Sequence, residues 1–462
     1  RDENGVTTSY SYNTARQLVE TIRSAVTDGE TMITPETITS YTRDALGKIT
    51  SLRRDAGPMT TVESREYDLL GRLIRETDIL GRTTVRSYSG DGLVETVTTP
   101  AGATLITRKS PSGTVVRRYG TGQQDILYTV EATAEGIRTT EAVPGGEGGE
   151  PRVVTGSSTV NGFGELVRIA AANTLNGENV RTLAYDDKGR LIREQLADMA
   201  PTLYAYDAFG NRTRAIVALE DEPTILNSRI TDYAYVAESR EDGIYRLVSI
   251  TSYTSSGTPV LQKQAALLSA LSSVLAGKTV MTDPRGQDTV EWTEYGGGSV
   301  RLQKKTVPGV GSVALTRVVD GFTTAVTGFD GATARRQRTY TETGITYADT
   351  DVRGNVFTAV CDITGRIISG TDAAGNTTTY AYAQPFDLPT CVTNALGKTA
   401  CSVYDIRGRK EAEWGTAIQP AVYAYDAAGH IVSLSTFRDP GDVITTDPRL
   451  RTDGDITSWT YD

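Results

Sequence analysis

Residues 67–84 read YDLLGRLIRETDILGRTT, and one short pattern occurs in them twice. Tyr67-Asp68 is followed by Gly71-Arg72, and the same spacing returns ten residues later from Thr77-Asp78. The Asp side chain can cap its own turn, and Gly can adopt the left-handed backbone conformation that closes a hairpin. The Thr-, Val- and Ile-rich runs between these turns suit a pleated, half-buried strand. The stretch therefore predicts alternating turns and strands.

The same unit recurs through the chain, with Tyr in the strong copies and without it in the weak ones. Copies lie ten or eleven residues apart, which is one strand and its turn, or 21 apart, which is one hairpin. Such a fixed period indicates a repeat architecture. The positions that we predict to carry the structural repeat motif are Tyr67, Asp68, Gly71, Arg72, Tyr185, Asp186, Gly189, Arg190, Tyr206, Asp207, Gly210, Asp362, Gly365, Asp372, Gly375, Tyr404, Asp405, Gly408, Tyr425, Asp426 and Gly429.

Two local predictions follow from the unit. Its glycines should have positive φ in hairpin turns, because a Cβ would be strained there. Tyr-x-Tyr pairs should place both rings on one strand face and form a ladder of stacked rings across hairpins. These pairs begin at Tyr10, Tyr204, Tyr233, Tyr380 and Tyr423.

These residues resemble the YD-repeat or RHS-repeat family, named after the Tyr-Asp of its unit. The resemblance spans roughly residues 41–88, 185–206 and 350–462, with degenerate copies between them. It implies an all-β fold in which a long antiparallel sheet of YD-repeat hairpins coils into a hollow shell. Insecticidal toxin complex B and C components, bacterial Rhs effectors and the teneurin ectodomain have such shells. We interpret residues 1–462 as one YD/RHS-repeat segment of a longer protein, and hence a partial shell.

The resemblance also implies a function, because the shell of these relatives encloses a toxin or presents adhesion surfaces and usually catalyses nothing. We expect a structural part of a bacterial polymorphic toxin, secreted or at the cell surface. Its implied partner is an enclosed C-terminal toxin or cargo polypeptide that is absent from this chain. Two alternatives are an adhesion module that binds carbohydrate or a cell-surface protein through exposed Tyr rows, and a glycoside hydrolase that uses two carboxylates.

The predicted strands have two unlike faces, which bears on the hollow interior. Leu73 and Arg75 fall on one face, and Ile74 and Glu76 fall on the other, so neither face is a simple apolar core. A sheet of many twisted strands must curl, and curling hides its edges. We therefore predict a concave inner surface lined by successive units.

Two segments depart from the repeat. Residues 260–278 have apolar residues at helical spacing, with Leu261, Ala265, Leu268 and Leu275 on one face, and predict one short helix packed on the sheet. A membrane or partner helix is the alternative. Residues 144–151 are rich in Gly and predict a flexible loop.

Charge and hydropathy exclude two classes of partner. The formal net charge of −10 argues against nucleic acid, which needs Lys and Arg to neutralise its phosphates. No run of 18 apolar residues is present, so we predict no transmembrane helix. Cys361, Cys391 and Cys401 form no even-numbered disulfide framework; two buried free thiols are favoured for the pair Cys391 and Cys401, with a cross-strand bridge as the alternative.

The sequence offers little for catalysis, and we predict no catalytic, cofactor or metal site. His430 is the only histidine, and it follows a turn glycine where other copies have Arg or Asn. The 57 acidic residues are mostly turn residues where they can be placed, although counting alone leaves a carboxylate pair open. Asp447-Pro448-Arg449-Leu450 lacks the Gly of the DPxGL-like string in the self-cleaving core of Rhs shells, so that protease role is not transferred.

Overall fold

The fold was analysed in a computed structural model of the chain. It describes residues 6–144, 153–173, 177–197, 199–218, 224, 226–295, 300–310, 313–383, 385–438 and 447–461. The loop predicted at 144–151 lies outside these residues, apart from Pro144.

The Thr-rich runs of the sequence form β-strands, and the Asp- and Gly-containing segments form the turns between them. The first run contains β1 Thr8–Tyr12, β2 Leu18–Arg23, β3 Val26–Asp28, β4 Thr31–Thr34, β5 Thr37–Arg43, β6 Ile49–Ala56, β7 Met59–Tyr67, β8 Leu73–Thr77, β9 Thr83–Tyr88, β10 Val94–Thr98, β11 Thr104–Lys109 and β12 Val115–Tyr119.

The strands of the second run are longer on average. It contains β13 Ile126–Thr133, β14 Gly136–Val143, β15 Val153–Val160, β16 Leu166–Asn173, β17 Gly177–Tyr185, β18 Leu191–Leu196, β19 Thr202–Tyr206, β20 Arg212–Ala218, β21 Ser228–Arg240, β22 Gly243–Tyr253, β23 Pro259–Ala270, β24 Leu275–Thr282, β25 Asp288–Tyr295, β26 Val300–Thr306, β27 Val313–Val319 and β28 Phe322–Thr327.

The third run returns to short, regular units. It contains β29 Thr333–Thr341, β30 Gly344–Thr350, β31 Val356–Asp362, β32 Ile367–Thr371, β33 Thr377–Tyr382, β34 Pro389–Thr393, β35 Thr399–Tyr404, β36 Lys410–Trp414, β37 Ala421–Tyr425, β38 Ile431–Thr436, a 3-10 helix Pro448–Leu450 and β39 Asp455–Ser458.

The contacts divide the chain into two compact units. The terminal unit comprises Arg1–Asp125, Val319–Ala325 and Thr333–Asp462, and the central unit comprises Ile126–Val318 and Val326–Ala332. In the terminal unit, β2 pairs with β1 and β5, the strands from β5 to β12 pair in sequence, and so do those from β29 to β39. In the central unit, β13 to β26 pair in sequence. All of these ladders are antiparallel, as expected for sequential hairpins.

The helix predicted for residues 260–278 is wrong, because this segment forms nearly all of β23 and the first half of β24. Strand β23 pairs with β22 along almost its whole length. Ala265 is buried and Leu267 packs beside it, two residues on, whereas Leu261 and Leu268 of the predicted helical face are exposed. The ladder to β22 therefore overrides the helical propensity of Leu, Ala and Gln.

Neither face of several strands is fully buried. Every residue of β10, β34 and β35 has intermediate exposure, so neither face of these strands is sealed. The substantial contacts between elements join sheet neighbours; the exceptions are β4 on β29 and the 3-10 helix on β36 and β37.

A small core forms where the β3–β4 hairpin meets the start of the third run. Ile33 is 2% exposed and Val319 is fully buried. Arg338 donates from Nε to the carbonyl of Ile33 at 2.5 Å, and from Nη2 to Thr34 Oγ1 at 2.6 Å. Asp320 accepts hydrogen bonds from the Arg23 guanidinium and from Thr34. The hairpin thus fastens the first run to β27–β29 by both apolar and charged contacts.

The first and third runs also meet at their turns. Arg82 Nη1 lies 2.8 Å from Asp387 Oδ1, and Asp387 also binds Arg366 at 3.1 Å. Arg407 Nε donates to the carbonyl of Thr121 at 2.8 Å. Within the terminal unit, these contacts join the runs from turn to turn.

Candidate functional site along the turns of the repeat

Each repeat turn is capped by its Asp, as the sequence predicts. In the first copy, Asp68 Oδ1 accepts from the backbone N–H groups of Leu70 at 3.0 Å and Arg72 at 2.8 Å. The Gly71 N–H donates to the Asp68 carbonyl at 2.9 Å. Corresponding side-chain caps occur at Asp186, Asp207, Asp362, Asp372, Asp405 and Asp426.

The backbone conformation of the turn glycines is confirmed. All have positive φ, between 74° and 101°, which a side chain with a Cβ rarely adopts. They are Gly71, Gly189, Gly210, Gly365, Gly375, Gly408 and Gly429.

The residue four positions after the turn Asp forms a hydrogen bond with the Asp carboxylate. Arg190 Nε donates to Asp186 Oδ2 at 2.7 Å. This side-chain bond, together with the backbone bond from Arg190, holds the pKa of Asp186 below its ordinary value. The carboxylate therefore stays ionised and keeps both hydrogen bonds at neutral pH. Arg72, Arg366 and Arg409 make the same pair with their own turn Asp.

The unit Tyr joins its turn to the preceding one. Tyr425 ends β37, and its hydroxyl donates to the carbonyl of Lys410, the residue directly after the previous turn, at 2.8 Å. Burial raises the pKa of Tyr425, so the donor proton is retained. Predicted Tyr positions with the same bond are Tyr67 to Ile49, Tyr185 to Leu166, Tyr206 to Leu191 and Tyr404 to Pro389.

The turn Arg covers the face of that same Tyr ring. The guanidinium carbon of Arg409 lies 4.5 Å from the Tyr425 ring centroid, and Arg190 lies 5.0 Å from that of Tyr206. A cation at this distance is attracted by the π face of the ring. We call this set of contacts the turn lock: Asp to Arg within a turn, Arg onto the next Tyr, and Tyr hydroxyl to the carbonyl after the turn.

The lock replaces the predicted ladder of stacked Tyr rings. Among the described residues, the rings of the Tyr-x-Tyr segments are not stacked on one another. Cations lie over Tyr204, Tyr235 and Tyr382, and the Tyr423 hydroxyl donates to Glu413 Oε1. The sequence holds a signal for this in two copies, because Tyr206 follows Arg190 by 16 residues and Tyr425 follows Arg409 by 16 residues. The spacing alone does not reveal the contact, because Arg at this position also fits an ordinary turn.

The two edges of each run differ in chemistry. In the third run, Tyr382, Tyr404 and Tyr425 end strands at one edge, which we call the tyrosine edge. The turns of the opposite edge follow Thr350, Thr371 and Thr393. The strand ladders that end at these three Tyr residues each have a register shift there. The β32–β33 ladder, which ends at Thr371 on the opposite edge, has no register shift. Since bulges increase local twist, only the tyrosine edge carries this extra twist at those turns.

The cysteine prediction needs a correction, because Cys391 and Cys401 form a disulfide rather than two free thiols. They lie directly opposite each other on β34 and β35. Pairing of the two strands brings the thiols together. A spacing of ten residues in the sequence permits this pairing but does not require it. Cys361 is a buried free cysteine.

His430 lies in the turn lock rather than in a catalytic group. Its Nδ1 is 2.9 Å from Asp426 Oδ2, and its ring stacks on Tyr461 with a centroid distance of 4.7 Å. It therefore occupies the place of the turn Arg, with Asp on one side and Tyr on the other. None of the contacts described for His430 involves a hydroxyl or thiol nucleophile of Ser, Thr or Cys.

The described part of the chain has neither a cluster of metal-ligating side chains nor a membrane-spanning helix. No group of three or more His, Cys, Asp or Glu side chains there is arranged to hold a metal ion. No helix among these residues has the length and apolar character needed to cross a membrane.

One family model matches part of the sequence. The RHS Repeat model covers residues 67–104, the region that contains the clearest tandem copies. No curated protein is similar enough in sequence to count as a match.

Solved structures share the fold at low sequence identity. A Tc holotoxin pore from Photorhabdus luminescens matches with a TM-score of 0.50 and 11% identity, over 93% of this chain and 23% of that one. A complex of TcdB2, TccC3 and Cdc42 matches with a TM-score of 0.52 and 11% identity, over 99% of this chain and 25% of that one. This chain thus spans about a quarter of the length of those chains, and the likeness concerns the fold.

Proposed function

On the premise that this chain is an RHS-repeat protein, we propose that it forms part of the wall of an RHS-type toxin shell. Its role there is structural, and its partner is a toxin or other cargo polypeptide that the wall encloses or presents. The proposal places the protein outside the bacterial cell or on its surface.

The partial exposure of both strand faces supports this proposal. A solid globular domain buries one face of each sheet against another layer, whereas β10, β34 and β35 leave both faces partly exposed. Such a sheet needs another source of rigidity, and the turn locks supply it along the edge. Arg82 and Arg407 join turns of the first run to turns of the third run. These contacts favour a wall whose runs meet at their turns and not through stacked sheet faces.

Adhesion through exposed Tyr rows is less well supported. The hydroxyls of Tyr67, Tyr185, Tyr206, Tyr404 and Tyr425 are already bound to backbone carbonyls, and several of the rings are covered by cations. A partner would have to displace these internal contacts. The rows therefore serve the wall itself.

Small-angle scattering of the purified chain tests the wall. A solid domain of 462 residues would have a radius of gyration of about 23 Å. A wall segment should give a clearly larger value and a pair-distance distribution displaced to long distances. A value near that of the solid domain would contradict the proposal.

A second measurement addresses the structural role. We expect no turnover of ester or peptide substrates by the purified chain, because His430 is committed to Asp426 and Tyr461. We expect none of glycans either, because the repeat Asp side chains cap their own turns, as Asp68 does. Turnover that a single carboxylate substitution abolishes would refute a purely structural role.

A further inference from the structure

A cavity of about 610 Å³ opens on the central unit along β24 and β25, beside the end of β21. Its lining includes Arg240, Asp242, Lys278, Trp292 and Glu294, and its apolar part includes valines of β24 and β25. This volume is within the range of pockets that hold small ligands. The turn locks make no use of these residues.

Trp292 is the aromatic side chain of this cavity, and its neighbours hold it in place. It lies opposite Lys278 on β24 and opposite Lys304 on β26. Its indole Nε1–H donates to Glu294 Oε1 at 2.9 Å. Glu294 is two residues further along the same strand and hence on the same face. The indole is therefore oriented before any ligand arrives.

The charged groups around the indole are already paired with one another. Lys278 Nζ lies 2.6 Å from Asp242 Oδ2, which also accepts a hydrogen bond from the Tyr245 hydroxyl at 2.8 Å. Lys304 Nζ lies 2.6 Å from Glu294 Oε2. The hydrogen bond to Asp242 raises the pKa of Lys278, and the same bond lowers the pKa of Asp242, so the pair persists at neutral pH.

Because these charged side chains are paired, the cavity disfavours an ionic ligand, while its hydrogen-bonding groups can still contact a neutral one. An anion or cation would have to displace an existing partner at close range. Arg240 and Lys278 still have N–H groups beyond those in their ion pairs, because guanidinium has five donors and ammonium has three. The cavity thus combines an aromatic ring, a small apolar floor and spare hydrogen-bond donors around it.

We propose that this cavity binds a neutral saccharide, with one sugar ring on Trp292 and its hydroxyls on the polar side chains of the rim. The C–H groups on one face of a pyranose ring suit the electron-rich face of indole. The hydroxyls can accept from Arg240 and Lys278 and donate to the carboxylates. The proposal does not depend on the shell function, because the wall would form whether or not this cavity binds a glycan.

Calorimetric titration of the full chain with neutral oligosaccharides of glucose, galactose and N-acetylglucosamine tests the site. At least one should bind, and a sialylated oligosaccharide and Lys-rich or Asp-rich peptides should not. Trp292→Leu should abolish detectable binding, whereas Trp292→Phe, which keeps a ring, should weaken it less. Trp459→Leu is the matched control on an exposed Trp of the terminal unit and should leave the affinity unchanged.

Circular dichroism and thermal unfolding establish that each variant is folded before titration. Absence of binding by every neutral oligosaccharide would overturn the proposal. So would equal affinity of wild type and folded Trp292→Leu, or binding at this site of only the charged probes.

Discussion

Replacement of Gly81 by alanine should destabilise the hairpin of β8 and β9 through backbone strain alone. Gly81 has a φ of +77°, and a Cβ built on it would meet no heavy atom within 4 Å. Its N–H donates to the Asp78 carbonyl at 2.9 Å, so the turn holds the residue in this conformation. The left-handed conformation costs a residue with a Cβ about 1–2 kcal/mol. No packing change adds to this figure.

Gly90 provides a matched control at the other end of β9. A Cβ there would also meet nothing within 4 Å, but the φ of Gly90 is outside the left-handed region. Alanine at such a position reduces the entropy of the unfolded chain and stabilises the protein by up to about 1 kcal/mol. The two variants therefore share chemistry, exposure and strand, and differ only in φ.

Hydrogen–deuterium exchange of β8 and β9 amides is the suitable assay, because strain in one hairpin need not lower the global transition. If the free energy of local opening falls by about 1–2 kcal/mol in Gly81→Ala, the amides of this hairpin should exchange about 5–30-fold faster. Gly90→Ala should exchange at the wild-type rate or more slowly. Equal protection in the two variants, or equal loss, would show that positive φ does not set the choice of Gly in this turn.

Three further outcomes are expected. Tyr425→Phe should lose about 1 kcal/mol in urea unfolding, because the Lys410 carbonyl loses its hydroxyl donor while the ring remains, and an unchanged midpoint would contradict the lock. Asp186 has a lowered pKa in the folded protein, so its contribution to stability is complete above about pH 4 and is lost as pH falls through the folded pKa. Asp186→Asn should therefore lose less stability on acidification than wild type, in urea unfolding measured as a function of pH. An identical loss in the two proteins would contradict this linkage. Reduction of Cys391–Cys401, which closes a loop over a separation of ten residues, should lower stability by roughly 2.5 kcal/mol, and a Cys391→Ser variant that shows no change on reduction is the control.

The turns and most strands could be predicted from sequence because their causes are local. Asp caps and Gly conformations need only a few neighbouring residues, and the repeat period then orders the hairpins. The segment 260–278 could not be assigned this way, since Ala265 fits both a helical face and a strand face. Pairing with β22 decided between the two, and that pairing is not a local property.

The parts of the site that were missed depend on side chains from neighbouring hairpins. Arg409 reaches Tyr425 because consecutive turns of one edge lie side by side, and the disulfide requires Cys391 and Cys401 to be in register. The Trp292 cavity needs the registers of three strands at once. Sequence spacing limits these contacts but does not select them.

The turn lock also bears on how the length of such proteins can change. Each lock connects one turn only with the next turn on the same edge, so insertion or loss of a whole hairpin of about 21 residues leaves every other lock with an equivalent partner. A duplication in the gene could therefore lengthen the wall without any compensating substitution elsewhere. The string GRLIRE, present at residues 71–76 and again at 189–194, is the kind of trace that such a history would leave.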